Sequence, residues 1–128
     1  MQIEKLHHIA IICTDYEKSK LFYTDILGLA IINEVYRADR NSYKLDLSLN
    51  GDYVIELFSF PTPPARPTRP EAAGLRHIAF GVKDIEQEVN HLKYKHIETE
   101  PIRIDEFTYK KFTFFYDPDH LPIEIYEI

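Results

Sequence analysis

Apolar and polar residues alternate over residues 5–12 and run into Ile9, Ile11 and Ile12, a pattern that predicts a strand. The period then changes. Tyr16, Ser19, Phe22, Tyr23, Ile26 and Leu27 fall on one helical face, so a helix is predicted over 14–28. Thr14 and Glu17 have capping-box spacing, with Asp15 as a rival N-cap, and Gly28 suits the position just past the helix end. Strand-like runs follow near 30–37, 42–49 and 53–60, with Asn50-Gly51 as a hairpin turn between the last two. Pro61 to Pro70 contains five prolines and can be neither helix nor central strand. The order then starts again. A strand is predicted at 76–82 and a helix at 84–95, with Asp84 as N-cap and Ile85, Val89 and Leu92 inward. Strands are expected near 98–104, 110–116 and 121–127, the last after an Asp117-Pro118-Asp119 turn. The chain therefore reads as two βαβββ modules, an α+β fold. Module 1 covers about 1–60, a Pro-rich linker about 61–74, and module 2 about 75–128.

The repetition extends to chemistry. Leu6-His7-His8-Ile9-Ala10-Ile11 returns as Leu75-Arg76-His77-Ile78-Ala79-Phe80. Each phrase is answered downstream by a glutamate within an apolar strand, Val54-Ile55-Glu56-Leu57-Phe58 and Pro122-Ile123-Glu124-Ile125-Tyr126. The interval is 48 residues from His8 to Glu56 and 47 from His77 to Glu124. Strand alternation chooses between the two adjacent histidines. His8 shares a face with Ala10, as His77 does with Ala79, while Ile9, Ile11, Ile78 and Phe80 suit packing against helices. The repeat puts Arg76 in the place of His7, so His8 is the candidate. By the same alternation Glu56 and Glu124 point away from the helix-packed face. A carboxylate in such a strand is costly if the other face is also covered, and a divalent cation would compensate it. One histidine and one carboxylate per copy thus point to a metal centre assembled by pseudo-symmetry.

Charge and cysteine content narrow the partners. The net charge of −6 argues against nucleic acid, whose phosphates need a clustered positive surface, and against an anionic membrane as expected partners. No apolar run approaches a membrane span and no signal peptide is visible. Cys13 is the only cysteine, so no internal disulfide forms, which fits a cytoplasmic location. Cys13 faces away from His8 and is expected to be a small core residue.

These residues resemble the vicinal oxygen chelate superfamily, which includes glyoxalase I, methylmalonyl-CoA epimerase, extradiol dioxygenases and the fosfomycin and bleomycin resistance proteins. Within it the chain looks closest to the glyoxalase I-like, YaeR-type proteins, through Asn50-Gly51 to Pro61, Gly74 to Phe80, and Phe112 to Tyr126. The resemblance implies paired βαβββ modules whose sheets curve into a cup around one divalent metal. Carried over by position, the ligands are His8, Glu56, His77 and Glu124. Two imidazoles and two carboxylates suit Zn²⁺ or Ni²⁺ first, with Co²⁺, Mn²⁺ and Fe²⁺ as alternatives. The implied activity is that of a metal-dependent lyase or isomerase of the lactoylglutathione lyase kind. It acts on a small oxygen-chelating molecule through an enediolate-type intermediate, with Glu124 as base and Glu56 as the symmetric alternative. A homodimer is expected.

Some positions depart from that pattern. Glyoxalase I has an arginine four residues after its first histidine, where this chain has Ile12, and an assisting asparagine where it has Phe60. Both weigh against glutathione. His120 follows Asp117-Pro118-Asp119 in place of the usual glycine and reads as a turn residue at positive φ. Phe58, Tyr126 and Ile12 share faces with the ligands and can line an apolar cup. Arg37, Arg40, Lys44, Arg76, Arg103, Lys110 and Lys111 are candidates for an anion clamp. The rival classes are an iron extradiol dioxygenase, against which Glu56 argues, an epimerase, which usually has glutamine there, and a non-enzymatic binding or resistance protein. Members of the last group tend to lose the metal ligands.

Overall fold

A computed structural model describes residues 1–128. The chain divides into two compact units, Met1–Ala65 and Arg66–Ile128, and the division falls among the prolines. Each unit is a βαβββ module built on a four-stranded mixed sheet, the fold class read from the sequence.

In the first unit the strands are β1 (Ile9–Cys13), β2 (Ala30–Arg37), β3 (Ser42–Leu49) and β4 (Asp52–Ser59), in sheet order β1-β4-β3-β2. Only the β1–β4 pairing is parallel, because a helical crossover joins β1 to the rest of the sheet. That crossover starts as α1 (Tyr16–Leu21) and widens into a π-helical turn over Phe22–Ile26, where the Leu27 N–H donates to the Phe22 carbonyl at 3.0 Å. Of the two N-cap candidates Asp15 serves, its carboxylate accepting from the Lys18 N–H at 3.2 Å. Gly28 ends the helix at φ +73. Leu45, Leu47, Ile55 and Leu57 on the sheet, with Phe22 and Tyr23 from the helix, are almost wholly buried and form the core. Asn50 and Gly51 both take positive φ in the β3–β4 hairpin, as the Asn-Gly pair predicts.

The second unit repeats the plan with β5 (Ile78–Val82), α2 (Ile85–Tyr94), β6 (Arg103–Ile104), β7 (Lys111–Tyr116) and β8 (Pro122–Glu127), in order β5-β8-β7-β6. Asp84 caps α2 through the Gln87 N–H at 3.0 Å. Ile78, Ile123, Ile125 and Phe115 on the sheet and Ile85 and Leu92 of α2 are all buried.

Two strands are shorter than expected. Residues 5–8 lie outside the ladder, which begins at Ile9. The run at 98–104 keeps only Arg103 and Ile104 as strand. Pro101 has no N–H to give a ladder, and the segment is tied to β7 by the Glu100 N–H on the Phe114 carbonyl at 2.8 Å. The Thr113 hydroxyl, donating to the Glu100 carbonyl at 2.7 Å, adds a second tie. No helix is long and apolar enough to cross a membrane.

Candidate metal centre

The helix-free face of each sheet carries the charged residues, as alternation requires. Ala10 pairs with Glu56 across β1 and β4, and Ala79 with Glu124 across β5 and β8. Each histidine sits just before its strand, one pleat from the alanine, so its ring reaches the glutamate beside it. His8 Nε2 lies 3.2 Å from Glu56 Oε2, and His77 Nε2 lies 3.1 Å from Glu124 Oε2. All four side chains are part-buried, the glutamates at 15% and 13% exposure and the histidines at 34% and 28%. The small alanine beside each pair leaves the space above it open.

The donor set fits a divalent cation. Two ligands held about 2.1 Å from one cation lie roughly 3.0–3.4 Å apart at octahedral or tetrahedral angles, and both imidazole–carboxylate pairs have that spacing. His8 also has an orienting partner, since its Nδ1 lies 2.8 Å from Nδ1 of His7, which leaves Nε2 for the carboxylate side. The Tyr53 ring stacks on His8 at 4.9 Å between centroids, and Phe114 meets His77 edge-on at 5.3 Å. Neither unit by itself gathers three or more His, Cys, Asp or Glu side chains in metal-holding geometry. Each instead holds one imidazole–carboxylate pair.

The two halves differ electrically. Lys44 of β3 reaches Glu56 Oε1 at 2.9 Å and Asp46 Oδ1 at 2.5 Å. Burial alone would lower the Lys44 pKa, but hydrogen bonds to Asp46 and Glu56 outweigh it and hold the ammonium above its ordinary value. Tyr53 donates to Asp46 at 2.9 Å, and burial, then that bond, push its phenol up. At the equivalent strand positions the second unit has Phe114 opposite Glu124 and Phe112 opposite Tyr126. Glu124 thus has its histidine and no lysine. Sequence reasoning named Lys44 only as a possible anion clamp and missed Asp46 and Tyr53. Leu45-Asp46-Leu47 is, like Ile55-Glu56-Leu57, a carboxylate between core residues, and that signal could have found Asp46.

Most of the other candidates scatter, although Arg76 and Arg103 line one cavity. Arg37 lies over the rings of Phe58 and Phe60 at 4.8 and 5.7 Å and donates to the Ser42 hydroxyl, so Phe58 is covered by a guanidinium. Arg76 pairs with Glu71, Arg103 with Glu100, and Lys111 with Glu86. Arg40 and Lys110 are exposed. Ile12 is 56% exposed, while the Tyr126 hydroxyl donates to Asp105 at 3.0 Å. His120 has φ 64 and is exposed in its turn, and Cys13 is 1% exposed in the core.

A βαβββ repeat with one imidazole–carboxylate pair per copy defines a class, and comparison with known proteins gives the family. The model of the Glyoxalase/Bleomycin resistance protein/Dioxygenase superfamily matches residues 5–125, and the chain belongs to that superfamily. It is 65% identical over 127 residues to the uncharacterized protein YwkD of Bacillus subtilis (strain 168), covering 99% of both chains. It is 61% identical over 125 residues to the uncharacterized protein YaeR of Escherichia coli (strain K12), covering 98% of this chain and 97% of the other. Among solved structures it is similar to a glyoxalase family protein from Enterococcus faecalis, with TM-score 0.91 and 46% identity over 99% of this chain and 100% of that one.

Proposed function

We propose that this protein is a divalent-metal-dependent lyase or isomerase of the glyoxalase kind, acting on a small oxygen-chelating substrate. The observation that carries the reading is the repeated imidazole–carboxylate pair, at 3.2 and 3.1 Å, on equivalent strands of the two units. In this reading His8, Glu56, His77 and Glu124 together hold one cation, Zn²⁺ or Ni²⁺ by preference. Support for a metal also comes from a likeness in fold, at TM-score 0.74 and 20% identity, to the fosfomycin resistance protein FosX of Listeria monocytogenes, one of whose structures is complexed with Mn(II). When bound, the cation supplies Lewis acidity toward substrate oxygens and stabilises the charge that develops on them.

The chain's own residues divide the remaining work. Glu56, held by Lys44 on its second oxygen, is a fixed carboxylate. Glu124 has no such tether, which supports it as the group that takes a carbon-bound proton. Ala10 and Ala79 leave room for the substrate beside the histidines. Ile12 and Phe60 offer none of the polar contacts that glutathione would use. The single cysteine and the composition fit a cytoplasmic protein.

Metal analysis tests the centre. Protein purified without chelator or affinity tag and supplied with Zn²⁺ or Ni²⁺ should bind about one ion per chain. His8→Ala and His77→Ala should each abolish tight binding, and no binding by the unaltered protein rejects the centre. A screen of hemithioacetals formed with several thiols, alongside CoA esters and catechols, then tests turnover. Glu124→Gln should lower turnover by a factor of about 100 or more. Full turnover with metal retained would remove Glu124 as base, and oxygen uptake with catechols would favour a dioxygenase.

A further inference from the structure

In the second unit a cavity of about 250 Å³ opens beside His77. Three arginines line it, Arg69, Arg76 and Arg103, together with Phe114 and Tyr116. Two of the three are paired with a carboxylate. Arg76 Nε donates to Glu71 Oε1 at 2.7 Å, and Arg103 Nη2 donates to Glu100 Oε2 at 2.9 Å. The Tyr116 hydroxyl anchors Glu100 from the other side at 3.0 Å, and the Arg103 guanidinium lies over the Phe112 ring at 4.9 Å. Arg69 is exposed and acts on Glu71 only through space, more weakly than Arg76 does. Three arginines against two glutamates give the lining a formal excess of one positive charge.

The excess continues next door. A second cavity of about 340 Å³ shares Arg69 and Tyr116 with the first and adds Arg66. Arg66 donates to the Leu75 and Arg76 carbonyls at 2.5 and 3.3 Å. A local positive excess in a chain of net charge −6 stands out against the molecule's own field. Guanidinium forks match planar or tetrahedral oxyanions with paired hydrogen bonds.

We propose that the cavity beside His77 is an oxyanion subsite that seats the phosphate or carboxylate of a small substrate. Arg69 supplies one fork, and Arg76 and Arg103 form the walls. The remainder of that substrate reaches the His77–Glu124 pair. This last clause rests on the metal-centre reading, whereas oxyanion binding itself does not. The substrate class follows: a compact acid or phosphate ester with oxygens near its anionic group. The volume is too small for a whole nucleotide thioester.

Chelator-treated, full-length protein titrated with inorganic phosphate, and separately with malonate, at constant ionic strength tests this by calorimetry. At least one of the two should saturate at one site per chain. Arg69→Gln should weaken it about tenfold or more, the scale of one lost charge-assisted hydrogen bond. Arg103→Gln should act in the same direction, and Arg69→Lys should restore part of the loss. Arg40→Gln, an exposed change in the first unit, should leave binding unaltered. Tighter phosphate binding identifies a phosphate ester, and tighter malonate binding a carboxylic acid. Absence of saturation by both, or binding indifferent to Arg69→Gln in protein shown folded by circular dichroism, overturns the subsite. Stoichiometric metal without oxyanion binding would leave the metal centre standing and remove this inference, and the reverse result would do the opposite.

Discussion

Glu56 and Glu124 occupy equivalent places in the repeat yet meet different neighbours. Asp46 stands directly across from Glu56 on the adjacent strand, a like-charge pair that would repel without Lys44 between them. All three side chains are largely shielded from water, so the ammonium matters more here than in an exposed ion pair. Lys44→Met should destabilise the metal-free protein by about 1–3 kcal/mol in urea unfolding, the cost of leaving shielded charged groups without a partner. Lys44→Arg should keep most of that stability. A change within about 0.5 kcal/mol for Lys44→Met would show that the carboxylates are solvated after all. At this scale the choice of His8 over His7 was legible, because alternation alone decides which face a side chain takes. The Lys44 contact was not, because it depends on the register of β3 against β4, and Leu47/Ser48 marks an irregularity in that register.

Among the elements, the helix of the first unit is tied to its sheet through Glu34. Glu34 of β2 accepts a hydrogen bond from Lys20 at 2.6 Å and another from the Tyr16 hydroxyl. The bond from Lys20, then that from Tyr16, hold the Glu34 carboxyl below its ordinary value of 4.5. A carboxyl depressed on folding stabilises the protein above its unfolded pKa, and that contribution disappears as pH falls through the lower folded value. Glu34→Gln should therefore be less stable than the parent at pH 7, by at most about 1 kcal/mol for so accessible a group. The gap should close as pH drops below about 4.5, as thermal unfolding at a series of pH values would show. A gap independent of pH would assign the effect to packing instead. Element order and the Asp84 cap could be read from the chain, because caps and turn residues act locally, while the first helix left a choice between Thr14 and Asp15 that the structure settles on Asp15. The length of β6 could not. Its extended run satisfies the strand pattern, but pairing partners decide what becomes ladder, and Pro101 interrupts it.

For the whole molecule, the proposed centre draws two ligands from each unit. If a homodimer shares its sites, His8 and Glu56 come from one copy and His77 and Glu124 from the other. Mixing His8→Ala and Glu124→Ala subunits should then recover roughly a quarter of wild-type metal content, because half the dimers are mixed and each has one intact site. No recovery after verified subunit exchange would place all four ligands within one chain.

The sequence by itself determined that the chain is a duplicated βαβββ module and which histidine and glutamate of each copy share a face. These follow from periodicity and from position within the repeat, which are local properties of a strand or helix. Only the tertiary structure decided that each imidazole lies within ligand spacing of its glutamate, that Lys44 and Asp46 make the first pair unlike the second, and that Arg69, Arg76 and Arg103 surround one cavity. Those residues are far apart or irregularly spaced in the chain, and only strand pairing and loop closure bring their side chains together.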